Sequence, residues 1–287
     1  MRVEEVPVPA AGPGERLVRL AGASVNPIDW KIRQGLMQAY LPLQLPRILG
    51  RDGAGTDVAS GERVMGLGAP GRDGTHAQYC VFQSSACCVL PAKIAFEDAA
   101  ALGIAGLSAW IPLVENAKLA NGQRVLIHAG AGGVGSLAIQ IARLRGAEVW
   151  TTCSARNGEW CRALGATRII DYAKENFSAL GRIFDVVLDT LGGAAHRLSA
   201  EVLKPDGALV FLNTGPVEPV ARKDVRVFPT EVRATPERLS ALISLLEEKK
   251  LKVPIEARFP LERAAEAYEL SRSGHARGKI VLIIPAR

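Results

Sequence analysis

The sequence predicts an α/β protein in which a doubly wound parallel sheet is joined to a smaller β-rich domain. Three observations carry that expectation: apolar strands alternating with amphipathic helices over 122–214, a glycine-rich turn at the first strand-to-helix junction, and a Gly- and Pro-rich texture without helical periods over the first ~90 residues. Strands that are apolar throughout, rather than at every second residue, belong to a sheet covered on both faces.

The β-rich part comes first, with short strand-like runs at 16–20 and 79–82. The α/β part opens with Val125-Leu126-Ile127-His128-Ala129, an apolar run that ends in glycines. Val134, Leu137, Ala138, Ile141 and Ala142 then recur at helical spacing. Further strands are expected at 148–153, 167–171, 184–189 and 208–212, with helices at 158–164 and 194–203 between them. Leu239, Leu242, Ile243 and Leu246 mark one face of a helix over 236–251, and 279–284 closes the chain as a strand.

Composition narrows the function classes. With 287 residues, 48% of them hydrophobic and 22% charged, the chain has ample material for a globular core. The first twenty residues lack an apolar core segment and no long apolar run follows, so neither a signal peptide nor a membrane span is expected and the cytoplasm is the default location. Cys80, Cys87, Cys88, Cys153 and Cys161 form no CxxC pair and no zinc-ligand spacing with His, a usage that suits a reducing compartment and no metal. The net charge of +6 comes from scattered Lys and Arg without an interleaved aromatic stripe. That is a solvated basic surface with some cations for an anionic cofactor, not a nucleic-acid site.

Between the strand ending at Ala129 and the helix beginning near Val134 lies Gly130-Ala131-Gly132-Gly133-Val134-Gly135, which fits G-x-G-x-x-G. Gly130 suits the tight turn, Gly132 the close approach of backbone N–H groups to a pyrophosphate, and Gly135 the packing of helix on strand. The helix start adds its dipole to the anion. The strand before, the helix after and the further βα units make this a Rossmann-type dinucleotide site rather than a packing turn. No acid closes the next strand to hold a ribose 2′-OH. Ser154 and Arg156 stand there instead, with Tyr172 past the third strand, and a hydroxyl, a guanidinium and a phenol suit a 2′-phosphate. The cofactor expected is therefore NADPH.

Four stretches together carry a resemblance: 23–31 (ASVNPIDWK), 48–55 (ILGRDGAG), 129–135 and 278–282 (GKIVL). In this order and spacing the chain resembles the zinc-free medium-chain dehydrogenases/reductases. Within them it is most similar to the quinone oxidoreductase-like proteins of the zeta-crystallin and chloroplast-envelope type, whose VNPxDWKI and TCxARN stretches match 25–32 and 152–157. The resemblance implies a GroES-like barrel over 1–95 completed by 253–287, a Rossmann-type domain over 96–252, and an active site in the cleft between them. It implies NADPH-dependent hydride transfer to a quinone or α,β-unsaturated carbonyl, and a homodimer formed through a sheet edge near 225–228. Zinc-dependent members take ligands where this chain has Asn26 and Arg51, neither of which suits the metal. The chain is shorter than those relatives before Val6, between Gly55 and Arg63, and over 215–227, and these deletions are expected to remove barrel strands or loops.

Hydride addition to such an acceptor leaves negative charge on oxygen, so hydrogen-bond donors are the requirement. Asn26 takes the family position beside the nicotinamide, with Lys31, Tyr40 and Arg51 as nearby donors; a turn role for Asn26 and a solvated role for the others are the alternatives. On the cofactor side the resemblance and the strand ends add Ser108, Thr190, Leu191, Asn213 and Lys279. His76, His128, His196 and His275 have no partner pattern and are read as structural or surface residues. The competing function is a catalytically weak NADPH-binding protein kept for interaction or sensing.

Overall fold

The computed structural model describes residues 1–39, 44, 46–69, 71–212 and 217–285. In chain order its elements are β1 (Glu15–Val25), α1 (Pro27–Arg33), β2 (Asp52–Asp57), β3 (Arg63–Gly68), β4 (Tyr79–Val89) and α2 (Phe96–Trp110), then β5 (Arg124–Ile127), α3 (Gly133–Leu144), β6 (Glu148–Cys153), α4 (Gly158–Leu164), β7 (Arg168–Asp171), β8 (Phe184–Asp189), α5 (Gly193–Glu201), β9 (Leu203–Leu212) and β10 (Arg226–Thr230). The chain ends with α6 (Pro236–Glu247), β11 (Ile255–Pro260), α7 (Ala264–Arg272) and β12 (Lys279–Ile283). Two compact units result, one of 1–107 with 233–287 and one of 108–232. The boundaries read from the sequence, 95/96 and 252/253, lie elsewhere because α6 packs on β4 and so belongs with the first unit.

In the first unit β1 pairs antiparallel with β2 and β4, β2 with β3, and β3 with β4, which closes a four-stranded GroES-like barrel. β12 adds antiparallel to β1, and β11 parallel to β12. Val18, Leu20, Val64, Cys80 and Phe82 fill the barrel. Closure leaves these four strands without an open edge. Between Gly55 and Arg63, where a strand or loop is expected to be missing, β2 and β3 pair directly across a short connection. Asp57 ends β2 and its Oδ1 accepts the N–H groups of Ala59 and Ser60 at 2.8 and 3.2 Å, so a short Asx-type turn carries the chain into β3.

The second unit is a wholly parallel sheet in the order β10-β9-β8-β5-β6-β7. Val125, Leu126 and Ile127 are fully buried, as are Val187 and Leu188, which is the burial a two-faced sheet imposes. α3 covers β5 and β6 with Leu137, Ala138, Ile141 and Ala142. The strand order reverses between β5 and β8, which places the ends of these strands at a switch point of the sheet. β9 starts at Leu203, earlier than the apolar run 208–212 suggests, because Lys204-Pro205-Asp206 hide the start and Asp206 takes a φ of +61°. Among the described residues one helical stretch, 96–116, is apolar and long enough to cross a bilayer. Leu102, Leu107 and Leu113 along it are fully buried, the pattern of a core helix.

Candidate functional site

The turn from β5 into α3 is built to hold an opening. Ala129, at φ +52°, donates its N–H to Thr152 Oγ1 at 3.1 Å, and Gly130 donates to Thr152 O at 3.0 Å. A Cβ on Gly130 would lie 2.0 Å from Thr151 Oγ1, and one on Gly135 2.3 Å from Ala129 O, so both positions admit only glycine. Gly132 differs. Its backbone is extended, and a Cβ there would meet nothing closer than Ala129 O at 3.4 Å. The first intrahelical bond of α3 is Ser136 N–H to Gly132 O, which leaves the N–H groups of Gly133, Val134 and Gly135 without intrahelical acceptors. Ala131 is buried behind them.

A buried relay fixes this turn from below. Ser199 spends its proton on Ala195 O, so His128 Nε2 carries the ring proton, and the bare Nδ1 of the neutral ring accepts at 3.2 Å from Thr152 Oγ1, which itself accepts the Ala129 N–H. His128 Nε2–H then donates to Ser199 Oγ at 2.9 Å, and Ser199 donates to Ala195 O at 2.6 Å. Every polar atom in the chain of bonds is used. Burial holds the His128 pKa down to about 4 against the opposing pull of Asp189, so the ring is neutral near pH 7.

β6 delivers the chain to Ser154, Ala155 and Arg156. The guanidinium of Arg156 is exposed and has no hydrogen-bond or ion-pair partner among the described residues. Cys153 is in register with Asp171 across β6 and β7, so Tyr172, 67% exposed, emerges beside Ser154. At the end of β8 the Thr190 hydroxyl donates to His128 O at 3.0 Å and is spent on joining the strand ends. Asp189 beside it accepts from Leu191 N, Gly192 N and His196 Nδ1 at 2.8–3.0 Å. Leu191 is exposed, Ser108 is buried within α2, and Asn213 lies outside the described residues.

In the first unit a separate buried network gathers Ser24, Asn26, Asp29, Asp52 and Lys279, each at most 4% exposed. Asp52 Oδ1 accepts from Ser24 Oγ at 2.6 Å and Asn26 Nδ2 at 2.7 Å, while Oδ2 accepts the Ile104 N–H of α2 at 2.6 Å. Gly103 makes room for this carboxylate, because a Cβ there would meet Asp52 Cβ at 2.7 Å. Asn26 Nδ2 donates also to Ser24 Oγ at 3.0 Å, and Asn26 Oδ1 accepts from Lys279 Nζ at 2.6 Å. A carboxylate on one side and an ammonium on the other allow only this orientation of the amide. Burial lowers the Lys279 pKa, against the pull of Asp52 and Asp29. Asp29 caps the start of α1 by accepting the Asn26 N–H at 2.7 Å, and burial raises its pKa. His76 Nε2–H donates to Ser24 O at 3.1 Å and Nδ1 accepts from Tyr268 OH at 2.7 Å, tying α7 to β1.

This network changes what the residues expected to carry the chemistry can do. Asn26 Nδ2 is turned toward Ser24 Oγ and Asp52 Oδ1, two acceptors 2.6 Å apart that one N–H can share, and Asn26 Oδ1 holds Lys279 Nζ. Lys279, expected on the cofactor side, joins Asn26 in the first unit. Arg51 is half-buried without a side-chain partner among the described residues, and lines a cavity of about 100 Å³ with Asp29, Ile32, Leu49 and Ala69. Lys31 is half-buried, 5.8 Å from the Trp30 ring centroid, and burial lowers its pKa. Tyr40 lies outside the described residues. Sequence reasoning missed Asp52, although it sits inside the quoted 48–55 stretch, and Thr152 and Ser199, whose partner His128 is 24 and 71 residues away.

No group of three or more His, Cys, Asp or Glu among the described residues is placed to hold a metal ion. Residues 12–110 match the family model described as alcohol dehydrogenase GroES-like domain, and 164–282 the one described as zinc-binding dehydrogenase. The chain is 31% identical to a chloroplast envelope quinone oxidoreductase homolog of Arabidopsis thaliana, over 97% of this chain and 92% of that one. It is 33% identical to the NADPH-dependent alkenal/one oxidoreductase, chloroplastic, of the same plant, over 96% and 73%. The solved quinone oxidoreductase of Coxiella burnetii superposes with a TM-score of 0.90 at 35% identity, covering 98% of this chain and 93% of that one. The chain belongs to the medium-chain dehydrogenase/reductase superfamily, in its zinc-independent, quinone oxidoreductase-like branch.

Proposed function

We propose that this chain is an NADPH-dependent oxidoreductase that reduces quinones or α,β-unsaturated carbonyl compounds without a metal. One observation carries the cofactor: an open glycine cradle at Gly132 with, past the end of the neighbouring strand, the guanidinium of Arg156, which has no partner among the described residues, both in the second unit. The free N–H groups of Gly133, Val134 and Gly135 fit a pyrophosphate, and Arg156, Ser154 and Tyr172 fit a 2′-phosphate. When bound, the reduced nicotinamide supplies the hydride. The chain's own task is to bind, orient and stabilise charge. Arg51, half-buried and without a side-chain partner among the described residues, is the donor offered to an acceptor oxygen. Lys279 Nζ is held in place by its bond to Asn26 Oδ1.

The similarity to quinone and alkenal/one oxidoreductases supports both acceptor classes. A homodimer through the free edge at β10 and a reducing, cytoplasmic setting, suited to five free and buried thiols, complete the reading. The test is stopped-flow oxidation of NADPH by a simple benzoquinone and by a short enone, with and without a chelator. Metal-independent turnover of either is the expected result; tight NADPH binding with neither acceptor reduced would leave a binding protein.

A further inference from the structure

Asn157 sits one residue past Arg156 and is only 7% exposed. It precedes α4, the position from which an Asn side chain usually accepts an N–H of the first helical turn. It makes no such cap here. Its Nδ2 donates instead to Ser154 Oγ at 3.2 Å, its main-chain N–H donates to Ser154 O at 2.9 Å, and its Oδ1 has no hydrogen-bond partner among the described residues. Side chain and backbone are both turned back on Ser154.

A serine hydroxyl carries one proton and two lone pairs. Once a lone pair is occupied by an amide N–H, the hydroxyl proton remains to be given elsewhere, and a phosphate oxygen accepts only from donors. We infer that Asn157 is a positioning residue for cofactor choice: by donating to Ser154 Oγ it keeps the Ser154 hydroxyl proton free for the 2′-phosphate, and so favours NADPH over NADH. The inference rests on the reading of Ser154 and Arg156 as 2′-phosphate ligands. An amide suits this place because it donates to the serine without adding a charge that opposes the anion. A carboxylate would do the opposite on both counts, taking the serine proton and repelling the phosphate.

That contrast separates positioning from helix capping, since Asp is as good an N-cap as Asn. The experiment measures calorimetric affinities for adenosine 2′,5′-bisphosphate and for adenosine 5′-monophosphate, beside NADPH and NADH titrations, on the full chain. The variants are Asn157→Asp, Asn157→Ala, Ser154→Ala, Arg156→Ala and the Ser154→Ala/Asn157→Ala double. For Asn157→Asp the bisphosphate-to-monophosphate affinity ratio is expected to fall about tenfold or more, the scale of one lost hydrogen bond to a charged group. Asn157→Ala should lower the ratio several-fold in the parent and leave it unchanged in the Ser154→Ala background, since its effect passes through that hydroxyl. A parental ratio in Asn157→Asp, or an Asn157→Ala effect of equal size in both backgrounds, overturns the inference and leaves Ser154 and Arg156 as ligands. A parent that does not prefer the bisphosphate, or a ratio unmoved by Arg156→Ala and Ser154→Ala, removes the underlying reading and this inference with it.

Discussion

At the scale of single residues, what decides a role is whether a polar atom is already spent. Thr190 is polar and well placed along the chain, yet its hydroxyl is committed to His128 O, whereas Arg156 has no partner among the described residues. Replacing Arg156 by Ala is therefore expected to lower NADPH affinity about tenfold or more and to leave NADH affinity within about twofold, on the scale of a lost charge-assisted hydrogen bond at an open site. Fluorescence titration with both cofactors checks this, and equal losses for the two would contradict it. His128 gives a second expectation, about pH. Its folded pKa, about 4, lies below the ordinary histidine value, so a proton binds the unfolded chain more tightly. The His128 contribution is whole above about pH 6.5, declines as pH falls towards about 4 and levels off below, a loss of order 3 kcal/mol in all. Urea midpoints at pH 7 and pH 5 should converge in His128→Gln, which lacks the titrating ring; an unchanged pH slope in that variant would show that other groups carry it.

At the scale of elements, the β5–α3 turn shows why the glycines of one motif are not equivalent. Gly135→Ala puts a Cβ 2.3 Å from Ala129 O, in backbone that cannot yield without moving the turn, and is expected to cost several kcal/mol of stability. Gly132→Ala meets only a 3.4 Å contact in ordinary extended backbone, so its melting temperature should stay near the parent's while NADPH affinity falls at least about tenfold, as its methyl group occupies the cradle. Thermal melts beside cofactor titration separate the two, and matched behaviour of both variants would mean that Gly132 faces no ligand. The turn and its flanking strand and helix were legible in the sequence because they are local: an apolar run, glycines at fixed spacing, then a helical period. The relay beneath was not, since Thr152, His128 and Ser199 meet only when β5, β6 and α5 pack, and neither a threonine nor a serine stands out in a sequence. The same holds for Lys279, 253 residues from Asn26, whose meeting depends on β12 returning beside β1.

At the scale of the whole molecule, the barrel and the parallel sheet treat their edges differently. Pairing of β1 with β4 closes the barrel, but among the described residues the parallel sheet ends at β10 with one side of that strand unpaired. Natural edges of this kind are blunted or covered. β10 is partly blunted by Pro229, which has no N–H to give, yet it presents Val227, 38% exposed, on a short run without acidic residues. A two-fold axis through such an edge would set Val227 of one copy near Val227 of the other, because an isologous contact apposes the same patch of both subunits. Val227→Glu then places like charges together at the centre of the interface, a juxtaposition that costs roughly several kcal/mol against pairing. An isolated monomer would register it only as one more exposed charge, within about 0.5 kcal/mol of the parent in stability. Light scattering behind size exclusion at micromolar concentration is expected to give twice the chain mass for the parent and the single chain mass for Val227→Glu, with cofactor affinity unchanged in both. A parent that runs as a monomer, or a variant that stays dimeric with parental affinity between subunits, would place the partner surface away from β10.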